Sequence, residues 1–201
     1  MKAKEFTTAC NKENPFMATP IGSITTESLI QWTPPPERWI KLNVDGASKG
    51  NPGTAGAGGI LRGHYGNWIK GFALNLGICT SIKVELTALL QGLKLARNQG
   101  IAKLIVHTDS QVVFNKLKVH PPKNREYYYL VKKSQELLNN PEWEVKVEHC
   151  YRESNQAAAF LANLEITQSA ASVIFEVSLV SLRKILTVDN SYVAWPCVIN
   201  T

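Results

Sequence analysis

Three carboxylates stand where a fold could gather them. Asp45 closes the polar side of an alternating run, Glu85 lies in the first turn of a helix expected from Ile82, and Asp109 follows a short apolar run. In an open α/β sheet, sites form beyond the strand ends, so carboxylates from three elements can converge there. Clustered carboxylates repel one another and stay ionised together only where cations neutralise them. Hard oxygen ligands select Mg2+ or Mn2+. Two such ions about 3.5–4 Å apart form a clamp for in-line phosphodiester cleavage. Taken singly, each residue also has an ordinary structural account: Asp109 can cap the helix after it, and Glu85 can complement a helix dipole.

The elements that must position them follow from periodicity. Ile40, Leu42 and Val44 alternate with Lys41, Asn43 and Asp45, which predicts a half-buried strand. The turn-forming run GASKGNPG (Gly46–Gly53) leads to strands over Ala57–Arg62 and Trp68–Leu76, with Gly63–Asn67 as a hairpin turn. Three strands joined by short connections pair antiparallel. Leu86, Leu89, Leu90, Leu93 and Ala96 form an apolar stripe on a helix from Ile82 to Asn98, which Gly100 stops. The near-continuous run KLIVHT (Lys103–Thr108) predicts a strand inside the sheet. Helices are expected at Ser110–Leu117 and Arg125–Leu138, then a strand at Trp143–His149. A last helix, capped by Ser154 or Asn155, should run to about Ser169. The order β-β-β-α-β-α-α-β-α predicts an α/β domain: a mixed five-stranded sheet, its first three strands antiparallel, with helices on both faces. The expected division is a disordered, proline-rich lead-in at 1–38, the domain at 39–170, and a C-terminal tail at 171–201 that shows no clear pattern.

Composition narrows the classes. With 201 residues and 44% hydrophobic content, the chain can bury one full domain, and its net charge of +6 suits a polyanionic partner. No apolar run approaches the roughly 18–20 residues that span a bilayer, so no membrane partner is expected. Cys10, Cys79, Cys150 and Cys197 are widely spaced and form no C-x-x-C pair, which argues for reduced thiols over a disulfide framework or a zinc site. An intracellular protein is expected, in the nucleus or cytoplasm. Residues Met1–Gln31 are Ser/Thr-rich but lack Arg, and an organellar address stays open. The glycine run lacks G-x-G-x-x-G and G-x-x-x-x-G-K-[ST] spacing and enters a strand, so a nucleotide cradle is disfavoured.

Four sequence words decide among these readings. NVDGASKGNPG (Asn43–Gly53), GAGGILR (Gly56–Arg62), VELTALLQGL (Val84–Leu93) and HTDSQ (His107–Gln111) resemble the type 1 ribonuclease H family, in its plant, reverse-transcriptase-associated branch. The resemblance covers about Trp39 to Gln168. It implies a ribonuclease H-like fold and endonucleolytic hydrolysis of the RNA strand of an RNA–DNA hybrid with two Mg2+ ions, for which Mn2+ can substitute. Asp45, Glu85 and Asp109 match three of the family's four metal-binding carboxylates. His149 matches its mobile histidine, and Asn51 and Gln111 match residues that touch the hybrid. Ser81 lies where another polar contact is expected. The basic residues Lys116, Lys118, Lys123, Arg125, Lys132 and Lys133 surround Pro121-Pro122, where related enzymes hold the duplex; on a helix they can equally be a solvated face.

The fourth carboxylate is missing. The family pattern R-E-x-N-x-x-A-D-x-L-A is met here by Arg152-Glu153-Ser154-Asn155-Gln156-Ala157-Ala158-Ala159-Phe160-Leu161-Ala162, which puts Ala159 at the aspartate position. A methyl group cannot ligate. Asn163 lies one turn on, Glu153 precedes the helix, and Glu165 falls on another side; none makes a convincing substitute. Reduced or absent hydrolytic activity is expected. The alternatives are an inactive nucleic-acid-binding domain and a domesticated or decaying retroelement fragment. Oligomeric state is not read from the sequence.

Overall fold

The computed structural model describes residues 6–7, 25–120, 123, 126–164, 172–191 and 193–200. In chain order its strands are β1 (Phe6–Thr7), β2 (Thr25–Ile30), β3 (Ile40–Gly50), β4 (Gly53–Arg62), β5 (Trp68–Cys79), β6 (Lys103–Thr108), β7 (Glu144–His149), β8 (Ser172–Phe175) and β9 (Trp195–Asn200). Its α-helices are α1 (Ser81–Asn98), α2 (Gln111–Leu117), α3 (Tyr128–Leu138), α4 (Gln156–Asn163) and α5 (Arg183–Asn190).

The main sheet has the order β1-β7-β6-β3-β4-β5-β8, and β2 pairs with β9 in a separate two-stranded sheet. The five predicted strands form the centre, with β3, β4 and β5 antiparallel and β6 and β7 added parallel beside β3. The expected count of five becomes seven because both terminal segments add an edge strand: β1 pairs with β7, and β8 pairs with β5. The unpatterned tail thus holds β8, a 3-10 turn at Val180–Leu182, α5 and β9. The predicted third helix begins at Tyr128, three residues late; Arg125 and Pro121-Pro122 lie outside the described residues. The last helix ends at Asn163, and residues 165–170 lie outside the described residues.

Side-chain alternation sorts two cores across the sheet. Leu42, Val44 and Leu61 pack with Leu86, Leu89 and Leu93 of α1 and with Val131 and Leu138 of α3. On the opposite face, Ile60 packs with Ala157, Ala158 and Leu161 of α4 and with Leu182. The polar side of β3 was expected to face water, yet Lys41, Asn43 and Asp45 are only 4%, 0% and 6% exposed. That side is covered too, and polar partners from distant segments make its burial tolerable.

Two close approaches set the helix positions. A Cβ on Gly46 would lie 2.6 Å from the Glu85 backbone nitrogen, so only glycine lets α1 press against β3 there. On the other face, a Cβ on Gly58 would lie 2.3 Å from the Ala162 nitrogen and 2.7 Å from the Leu161 Cβ. The buried alanines of α4 are therefore matched to a glycine floor. Neither neighbour at Gly58 is the movable end of a side chain, so Gly58→Ala must push α4 off the sheet. Urea unfolding should show it less stable by about 1–3 kcal/mol, the usual range for overpacking.

Candidate metal centre

Asp45, Glu85 and Asp109 come together. One carboxylate oxygen from each lies within 4.8 Å of the others, and they are the sole such group among the described residues. Asp45 comes from the buried centre of β3 and Asp109 from the exit of the neighbouring parallel strand β6. Glu85 comes from α1, in its second turn rather than its first, because the helix already starts at Ser81. A dipole-complementing role for Glu85 therefore falls away. A capping role for Asp109 falls away too: the cap of α2 is Ser110, whose hydroxyl accepts from the Val113 N–H. Both carboxylates are left to face the cluster.

The electrostatics of the cluster disfavour its ionised form and suit a cation. Burial, then the neighbouring Asp109 charge, pushes the Asp45 carboxyl up to about 7, while Arg152 pulls the other way. Burial, followed by the charges of Asp45 and Asp109, pushes Glu85 up to about 9. Glu85 Oε2 is buried with no hydrogen-bond partner. A buried, unpartnered carboxylate oxygen beside two further carboxylates fits a hard divalent cation.

Asp109 is held from several directions. His149, the last residue of β7, donates from Nε2 to the Asp109 carbonyl at 3.2 Å. Asn155 Nδ2 donates to Asp109 Oδ1 at 3.2 Å and to the Val44 carbonyl at 3.0 Å. Asn155 stands at the start of α4, but its side chain caps nothing; it turns inward. Ser154 does not cap either, since its hydroxyl donates to the Tyr151 carbonyl. The position that invited a cap reading instead ties α4 to the carboxylates, and sequence spacing had no means to distinguish the two.

The other predicted residues separate. Asn51 and Ser81 are adjacent: Asn51 Oδ1 accepts from the Ser81 N–H at 3.0 Å, supplying from the β3–β4 turn a cap that Thr80 does not give α1. Gln111 is exposed, and its side chain donates to Asn115 Oδ1 along α2. Of the basic residues, Lys118 sits 4.0 Å from the Phe114 ring centroid and Lys116 sits 4.4 Å from that of Tyr127. Lys132 and Lys133 lie over Tyr128 and Tyr129, an interleaving of cations and rings on and before α3.

At the fourth position, Ala157 and Ala158 are buried against the sheet, whereas Ala159 lines an open cavity of about 420 Å³ with Arg152, Gln156, Phe160 and Asn163. No carboxylate takes its place among the described residues. Asn163 turns its amide back onto the Ala159 carbonyl at 2.8 Å, and Glu153 lies against the Cys197 thiol. Glu165 lies outside the described residues.

The profile of the family described as reverse transcriptase-like matches residues 43–165. An Arabidopsis thaliana protein, provisionally named a ribonuclease H protein, is 35% identical over 164 residues; the match covers 82% of this chain. The chain spans only 26% of that relative's length. The ribonuclease H of Bordetella avium is 29% identical over 111 residues, 55% of this chain and 70% of that one. Among solved structures, RNase H1 of Halobacterium salinarum superposes with a TM-score of 0.56 at 28% identity, over 62% of this chain and 95% of that one. LC11-RNase H1, solved in complex with an RNA/DNA hybrid, gives 0.57 at 25% identity, over 64% and 96%. The chain belongs to the ribonuclease H family, in its reverse transcriptase-like branch.

Proposed function

We propose that the protein hydrolyses the RNA strand of RNA–DNA hybrids, using Mg2+ or Mn2+, at a rate limited by the missing fourth carboxylate. The convergence of Asp45, Glu85 and Asp109 within 4.8 Å carries this reading. Those three residues would hold one cation. A second would have Asp45, water and substrate phosphate oxygens, because Ala159 offers no ligand. Bound there, divalent cations activate an attacking water and stabilise the departing 3′ oxygen. With its Nε2–H committed to the Asp109 carbonyl, His149 presents Nδ1 as the ring atom able to take up a proton. Asn51, Ser81 and Gln111 line the approach of the hybrid, and the lysines seated on the rings of Phe114, Tyr127, Tyr128 and Tyr129 meet its phosphates. The setting is intracellular.

A second reading has its own support. Ala159 faces a cavity with no replacement carboxylate among the described residues, which favours a hybrid-binding protein that no longer cuts. Cleavage of a labelled RNA–DNA hybrid in Mg2+ and in Mn2+ separates the two. On the hydrolytic reading, the wild type cuts, Asp45→Asn does not, and Ala159→Asp cuts at least about tenfold faster, a gain of ~1.4 kcal/mol in transition-state stabilisation. A silent wild type that retards the hybrid in a gel shift decides for the binder.

The carboxyl shifts set a pH dependence. The unfolded carboxyls titrate near ~4, whereas in the metal-free fold Asp45 and Glu85 hold their protons to about 7 and about 9. Their contribution to stability is therefore full below the unfolded values and is lost as pH rises through the folded ones. Thermal melts without divalent ions should show Tm falling across that window. Mg2+ should restore it, by an increment that grows with pH and shrinks in Asp45→Asn. An increment that stays flat with pH counts against the triad as the cation site.

A further inference from the structure

A buried line of hydrogen bonds runs from the C-terminal helix to the carboxylates. Asp189 on α5 pairs with Arg62 Nη1 at 2.5 Å, and Arg62 Nη2 donates to Asn43 Oδ1 at 3.2 Å. Asn43 Nδ2 donates to Asn155 Oδ1 at 3.0 Å, and Asn155 Nδ2 donates to Asp109 Oδ1. Trp32 joins from the other terminus. Its Nε1–H donates to Asn43 Oδ1 at 3.0 Å, and the Arg62 guanidinium stacks 3.6 Å from its ring centroid.

The direction of this line is forced at both ends. Trp32 and Arg62 can only donate, so Asn43 must turn its oxygen toward them and its nitrogen toward Asn155. The Val44 carbonyl and an ionised Asp109 can only accept, so Asn155 must turn its nitrogen toward them. Every amide has one workable orientation, and Asp109 receives its hydrogen bond at a fixed angle. Stability alone explains this poorly, because a buried ion pair is often matched or bettered by apolar residues of similar volume. Arg62 is fully buried, and its Nε has no partner. It therefore relies on Asp189 and Asn43 to hold its place.

We propose that Asp189 and Trp32, both outside the span matched by the family profile, are positioning residues for Asp109, acting through Arg62, Asn43 and Asn155. The proposal rests on the reading of Asp109 as a cation ligand. The terminal segments then belong to the working site as well as to its scaffold.

The test uses the 15N-labelled full chain, with two readouts: Mn2+ affinity without nucleic acid, by calorimetry, and the Asn155 side-chain amide resonance. Asp189→Asn should weaken Mn2+ binding about tenfold, the lower end of what lost support behind a ligand costs, and should move the Asn155 resonance. In an Asn155→Ala background the same substitution should cost nothing further. Should Asp189→Asn fail to fold, Trp32→Phe keeps an aromatic ring under Arg62, deletes the N–H along with the smaller ring of the indole, and should produce the same two changes to a smaller degree. A variant that melts lower but keeps wild-type Mn2+ affinity and an unmoved Asn155 resonance overturns the proposal while leaving the cation reading intact. A wild type that binds no Mn2+ overturns both.

Discussion

Three carboxyl groups whose oxygens lie within 4.8 Å of one another repel as soon as they ionise, and the fold is arranged to keep them together. Asp45 is fixed because it lies on a central strand with both faces covered. Glu85 is fixed because α1 meets that strand at Gly46, where no side chain can intervene. Asp109 leaves β6 under three restraints: the Asn155 amide, the His149 ring and the Ser110 cap beyond it. The cores on the two faces of the sheet thus deliver their helices to one end of it, α1 with Glu85 and α4 with Asn155. Preorganisation of this kind keeps the three carboxylates assembled by the fold itself.

Much of this was legible from periodicity. The stripe on α1, the buried KLIVHT strand and the three-strand meander read correctly because each repeats a local pattern over many residues. The carboxylates were legible because strand ends and motif words agree. What escaped was polar and distant. Alternation marked Asn43 as solvent-facing, yet its partners, Trp32 and Asn155, are 11 and 112 positions away. Asn155 read as a cap because capping and inward hydrogen bonding demand the same residue at the same place. Glu85 was placed in the first turn because the helix starts one residue earlier than expected, at Ser81, whose N–H is met by Asn51 from another loop. The tail showed no pattern because its elements are short, and α5 is held both by the buried Arg62–Asp189 ion pair and by Ile185 and Leu186 packed on the core beneath α4.

The three consecutive alanines of α4 have three different environments. Ala157 and Ala158 are small because the sheet beneath them leaves no room, and a larger side chain at either would meet β3 or β4. Ala159 is under no such restriction; it borders open space beside Arg152. Its size reflects neither packing nor backbone need. Family membership and the family's chemistry can therefore part company at one side chain while the fold that surrounds it stays whole.

Strand β8 also changes what counts as the unit of this protein. It covers β5 by pairing Ser172–Phe175 with Gly71–Leu74, so the side of the sheet remote from β6 ends in a strand the family profile does not include. A fragment trimmed to the profile would carry every residue of the carboxylate cluster and still present β5 as a naked row of amides and carbonyls. Such an edge is a template for another chain. The excised domain would therefore differ from the intact one in solubility, apart from any effect on the carboxylates themselves.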